Sequence, residues 1–256
     1  MLNFNFVDNE RSRVRTLRDS TSERTTIINL PMNLINDDAF KPLINDLEAK
    51  ILEIESWLGR EQVDLTLEGR QKKARNEAKR LAGSFKALVA AGRKKRLEFK
   101  KRREDYATME FSDNFPPEMR IEIRNIFAKI KGAGPMFDFA MKADLRTLSA
   151  ILETGAGMSD LPTDLYHKLQ DRHAMLKLVD RAEGTGSHDL KPSLQNILAI
   201  GIDKDRAVTD AEKTVKSWAA DETIIDDLSD YLNDVVNWTA LLTITSDAEA
   251  FENLMA

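Results

Sequence analysis

Hydrophobic and polar positions follow two periods along this chain, close to two at the start and three to four almost everywhere after it. Leu2, Phe4 and Phe6 alternate with Asn3 and Asn5, and Arg11, Arg13 and Arg15 alternate with Ser12 and Val14, so the start reads as extended chain. Thr25-Thr26-Ile27-Ile28 is a second β-like run. The polar Asp19-Ser20-Thr21-Ser22 between them forms a turn, which allows either a loose hairpin or an arm lying on another surface. The arm is the preferred reading. Its arginine-rich composition buries little apolar surface and does not offset an ordering cost of about 1–2 kcal/mol per residue. Residues 1–34 are therefore expected to be an extended N-terminal arm that orders only against a partner or a neighbouring copy.

From Asn36-Asp37-Asp38 onward the period becomes helical, with Pro42 marking where the regular part of the first helix starts and Gly59 where it ends. Leu43, Leu47, Ile51, Ile54 and Leu58 form one apolar stripe that must face a partner. A second helix is expected from Leu65 to Met109, roughly 65 Å long at 1.5 Å per residue. Ala74, Ala78, Leu81, Phe85, Leu88, Gly92, Phe99 and Tyr106 give it a three-four pattern, interrupted by Lys95 and Arg102. Gly83 and Gly92 are the weakest points for helix, so each marks either the close approach of another helix or a break. Phe115-Pro116-Pro117 ends this helix and sets a boundary. Beyond it, helices are expected over Glu118–Lys131, Met136–Thr154, Pro162–Glu183, Pro192–Ile200, Asp205–Ala219 and Thr223–Trp238, with Ser246 capping a last short one. The expected fold is all-α: an arm (1–34), a helical hairpin with one very long, coiled-coil-like basic helix (35–112), and a compact bundle (113–256).

Charge sharpens this division. Between Arg70 and Arg103 stand fifteen Lys or Arg against Glu77 and Glu98, whereas from Asp221 onward there are nine acidic residues and no Lys or Arg. The formal net charge of -5 conceals this asymmetry, and the bundle is acidic. The chain has no cysteine, which excludes disulfides, thiolate metal sites and cysteine nucleophiles. The start lacks the composition of a signal peptide, and no window approaches the roughly 18 apolar residues of a membrane span. A cytoplasmic location, or incorporation in a particle assembled there, is the expectation, without membrane binding.

Several small patterns invite chemistry and are better explained without it. Gly155-Ala156-Gly157 and Gly184-Thr185-Gly186 follow no strand and lack the Lys-Ser or Lys-Thr of a phosphate loop, so they read as helix stops. Asp164, His167 and Asp171 share a helix face, yet they have no second histidine cluster to complete a metal site. Ser187-His188-Asp189 has the residue types of a hydrolytic triad, but adjacent residues cannot converge as a relay. Leu194–Ala211 faintly resembles helix-turn-helix spacing, with Asp203, Asp205 and Asp210 placed to repel phosphate. No catalytic, metal or cofactor residue is assigned, and an enzyme is not expected.

The stronger candidate is the basic stripe of Arg75, Lys79, Lys86, Arg93, Lys94, Arg96, Lys100 and Arg103. Such a stripe suits an acidic protein surface or a phosphate backbone. The expectation is a non-enzymatic structural or assembly protein working through protein contacts or self-association between basic helix and acidic bundle, such as an oligomeric component or assembly chaperone of a phage or bacterial machine. The alternative is a nucleic-acid-binding accessory protein using the same helix.

Overall fold

The structure, a computed structural model, describes residues 2–61, 66–109, 111, 114–155, 161–182, 185, 188–194 and 196–256. It is mostly helical, but it opens with a three-stranded antiparallel sheet of order β1-β2-β3: β1 (Leu2–Asp8), β2 (Ser12–Asp19) and β3 (Thr25–Pro31). An all-α fold with an N-terminal arm is therefore corrected. The strand alternation was real, and what the arm reading lacked was the face it creates. Register places Phe4 beside Leu17 and Phe6 beside Arg15, which in turn pairs with Ile28. Because side chains alternate across a strand, Leu17, Ile28 and Leu30 collect on one face and are buried there. Three strands with such a face pack stably where an isolated hairpin does not. Asn9 and Asp19 close the two turns, their carbonyl or carboxylate oxygens accepting from Arg11 and Ser12 N–H and from Thr21 N–H respectively.

The chain divides into two compact units, one of residues Met1–Glu98 with Asp221–Ala256 and one of Phe99–Ala220, a partition that does not follow the expected 34/35 and 112/113 boundaries. The first unit holds the sheet, α1 (Met32–Asn36), α2 (Lys41–Glu61), α3 (Leu67–Ala78), the start of α4 (Ala82–Ala107), the later part of α9 (Lys204–Thr243) and α10 (Asp247–Met255). The stripe of α2 meets the sheet in a shared core with Phe85, Leu88, Tyr231 and Trp238. Asp37 ends the α1 turn and accepts from the N–H groups of Ala39 and Phe40, so α2 starts beside Pro42.

The expected single helix from Leu65 to Met109 is helical over its described residues from Leu67 to Ala107, but it tightens into a 3₁₀ turn at Lys79–Leu81. The tighter pitch aligns Ala78 with Leu81, three residues on, and both are buried. Neither glycine is a break. A Cβ on Gly92 would come within 2.8 Å of the Leu228 side chain, so this glycine lets α4 and α9 approach closely, whereas one on Gly83 would meet nothing within 4 Å.

The second unit contains α5 (Pro117–Ala128), α6 (Ala133–Lys142), α7 (Leu145–Leu152) and α8 (Thr163–Ala182), packed around Phe127, Leu148, Ile151 and Leu169. The expected helix Met136–Thr154 is two helices, because Asp144 leaves the helical conformation and accepts from Thr147 N–H to cap α7. The expected helix Pro192–Ile200 is absent among the described residues. In its place a loop is pinned at its base by pairing of Asp189 with Ile202, leaving Leu194, Leu198 and Ile200 more than 80% exposed. The two expected helices Asp205–Ala219 and Thr223–Trp238 are one, α9, and Ser246 caps α10 by accepting from Glu249 N–H.

Candidate partner-binding surface

The structure separates the eight basic candidates into different surroundings. On α3 and the turn after it, Arg75 and Lys79 are exposed and border a cavity of about 460 Å³ together with Lys72, Asn76, Glu249 and Asn253. Glu68 and Glu249 share that lining, so its charge is mixed.

On α4, the residues of the first unit divide by helix face. Phe85, Leu88 and Gly92 face the core, and with them turns Lys95, whose ammonium lies 2.7 Å from Asp37 and 3.7 Å from Asp221 while also resting over the Phe40 ring. Lys95 thus interrupts the apolar seam without being left uncompensated. Lys86 is half-buried, while Arg93 is exposed and borders, with Gly92 and Arg96, a groove against Ile225 and Leu228 of α9; among the described residues neither has an ion-pair partner. Lys94 and Arg96 make only long contacts, 3.9 Å to Glu98 and 3.9 Å to Asp226, between groups that are mostly exposed. Pairs of that kind contribute little. Leu97, in the middle of these cations, is 67% exposed.

The two candidates in the second unit are engaged locally. Arg103 donates to Asp171 at 3.0 Å, and Lys100 stands 3.7 Å from Glu104. Asp171 is thus engaged by Arg103, and His167, on the same helix, pairs with Gln170. Among the described residues no group of three metal-ligating side chains forms.

Sequence reading missed two buried polar clusters. In the first unit, Arg15 lies beneath the sheet and donates to Glu48 at 3.0 Å and Glu55 at 2.7 Å, while the Tyr231 hydroxyl donates to the other oxygen of Glu48 at 2.9 Å. Two carboxylates share one guanidinium, and burial raises the Glu55 carboxyl above its ordinary 4.5 against the pull of Arg15. Burial also pushes the Tyr231 hydroxyl well above 10.0, so it remains a donor. The signal available in the sequence was the two-residue spacing of Arg13 and Arg15, which places them on the same strand face as Leu17.

In the second unit, His173 is buried and its Nε2 lies 2.9 Å from the Ser149 hydroxyl, with Lys177 donating nearby to the Thr108 carbonyl at 2.8 Å. Burial, aided by the Lys177 charge, lowers the His173 pKa below 6.5 and keeps the ring neutral at pH 7. Ser149 also reaches the Leu145 carbonyl of its own helix at 2.7 Å, which makes it a satisfied helical serine.

The remaining sequence candidates do not assemble either. His188 meets Asp210 at 3.3 Å, not Asp189, and Ser187 lies outside the described residues. Gly157, Gly184 and Gly186 also lie outside them, and Gly155 adopts φ 77°, as at a helix stop. With residues 194 and 197–200 not helical, the helix-turn-helix spacing has no first helix. No family model, curated protein or solved structure matches the chain.

Proposed function

We propose that the protein works through contacts with an acidic protein surface, as an assembly or structural component, using the outward side of α4 in the first unit. The observation that supports this reading is Leu97, exposed among Arg93, Lys94 and Arg96. Protein interfaces pair a desolvated apolar anchor with a charged rim, whereas a phosphate backbone uses the cations and gains nothing from a leucine. Lys86 and Arg93 extend the rim and have no competing ion partner among the described residues.

The test compares the parent with Leu97→Gln and with a combined Lys86→Gln, Arg93→Gln, Lys94→Gln variant, each purified from the native host with and without nuclease. An acidic protein retained by the parent, reduced by both variants and indifferent to nuclease is the expected result. Retention of nucleic acid that the charge variant loses and Leu97→Gln keeps assigns the surface to nucleic acid. Retention unchanged by either variant removes the surface from the function.

A further inference from the structure

The two edges of the sheet are built differently. In an antiparallel pair, opposed residues alternate between those that exchange hydrogen bonds and those that do not. Asn9 N–H donates to Ser12 O at 3.1 Å, and with the β1–β2 register this makes Val7–Val14 and Asn5–Thr16 bonded pairs. The N–H and C=O groups of Phe4, Phe6 and Asp8 therefore point away from β2. On the other edge the same alternation runs through Asp19 N–H to Arg24 O, which turns Asn29 outward, and there Asp234 accepts the Asn29 N–H at 2.9 Å. The β3 edge thus has an acceptor supplied by α9. Among the described residues no group caps the outward N–H of Phe4, Phe6 or Asp8.

The β1 edge also lacks the usual protections. Its sequence, Leu-Asn-Phe-Asn-Phe-Val-Asp, has no proline or lysine. Phe6 lies on the same face as the buried Arg15 and Ile28, yet it is 48% exposed because no strand flanks it on the outer side. The guanidinium of Arg15 covers one side of its ring, 4.7 Å from the centroid.

We infer that β1 is a self-association edge, pairing antiparallel with β1 of a second copy of this chain about a two-fold axis beside Asn5. This contact is separate from the α4 surface and stands whatever binds there. The strand specifies its own partner. With Asn5 opposite Asn5 of the other copy, Phe4 faces Phe6, and these are the residues whose backbone groups point outward, so each facing pair exchanges two hydrogen bonds. The phenyl rings of Phe4 and Phe6 fall on the core side, where each copy supplies the flank that Phe6 lacks. Asp8 falls opposite Leu2, so like charges do not meet. A two-fold contact of this kind is closed and self-complementary, and it joins two three-stranded sheets into one.

The chain's lack of cysteine allows a direct test. Opposed residues that do not exchange hydrogen bonds have Cα atoms about 4.5 Å apart, within disulfide range, so Asn5→Cys should form a covalent dimer under mild oxidation. Asn3→Cys, placed opposite Val7, and Ile27→Cys, equally exposed on β3, serve as controls and should cross-link at least about tenfold more slowly. Sedimentation equilibrium of the parent should show a dimer. Phe6→Pro, which removes an N–H that β2 does not use, and Phe6→Lys should each raise its dissociation constant at least about tenfold with an unchanged far-ultraviolet spectrum. A parent that stays monomeric to about millimolar concentration overturns the inference. So does a dimer in which Asn5→Cys cross-links no faster than the controls, or one that both Phe6 variants form as readily as the parent.

Discussion

At the level of single residues, the two helical glycines of α4 have opposite roles, and substitution should separate them. Alanine raises helix propensity by about 1 kcal/mol over glycine. At Gly83, where a Cβ meets nothing, Gly83→Ala should gain most of that, seen as a higher urea midpoint at unchanged slope. At Gly92 the new methyl sits 2.8 Å from buried Leu228, so Gly92→Ala should forfeit the gain and lower the midpoint. The shared sequence signal, a glycine in a helix, could be read as close approach or break; only the position of Leu228 distinguishes the two sites. Glu55 carries a pH prediction. Its carboxyl is raised above 4.5 by burial, so the folded chain binds that proton more readily than the unfolded chain, and this residue's contribution to stability falls as pH rises from 4.5 through the folded value. Glu55→Gln should flatten that part of the profile, measured by urea unfolding between about pH 4.5 and 7. A profile identical to the parent's would show that Glu55 titrates normally.

At the scale of elements, strong apolar periodicity was legible and punctuation was less so. The stripe of α2 and the Ser246 cap stand where the spacing put them. Asp144 was not read as a stop because its flanking stretches, Met136–Lys142 and Leu145–Leu152, are both helical in pattern, and only the capping bond to Thr147 reveals the division. The reverse error occurred at Ala219–Thr223, where two separate helices were expected and α9 runs through without a break. Continuity there is testable at the exposed Ala220. Proline in a helix interior costs about 3 kcal/mol or more through the lost hydrogen bond and ring clash, so Ala220→Pro should lower stability by that amount. A connecting loop at this position would tolerate it with little change in the unfolding midpoint. Pro192–Ile200 shows the limit of pattern reading from the other side, since a segment with helical spacing needs a face to pack against and its described residues lack one.

At the scale of the molecule, the segregation of charge along the sequence was plain, but where the opposite ends of the distribution meet was not. Acidic residues of the C-terminal third come within reach of α4 in the same unit, as Lys95 with Asp221 and Arg96 with Asp226, so part of the attraction expected between copies is satisfied inside one chain. The cations that remain outward are dispensable for folding on this view, and the Lys86→Gln, Arg93→Gln, Lys94→Gln variant should unfold within about 0.5 kcal/mol of the parent. A larger loss would mean that these side chains support the fold, and their effect on binding could not then be assigned to a surface. The candidate stripe was legible as a composition, but its division among outward, inward and locally paired members depended on helix phase and on Asp37, 58 residues from Lys95 in sequence. The guanidinium beneath the sheet has a further consequence for how the fold is chosen. Arg15 meets Glu48 and Glu55, two positions on one face of α2, and Tyr231 holds the remaining oxygen of Glu48. Sliding β2 by two residues would keep every apolar side chain on the correct face while offering Arg13 or Leu17 to those carboxylates, and the leucine alternative strands two buried anions. Oily surfaces alone tolerate either slip, whereas these carboxylates disfavour the one that presents Leu17, so electrostatics makes the register choice directional where packing would not.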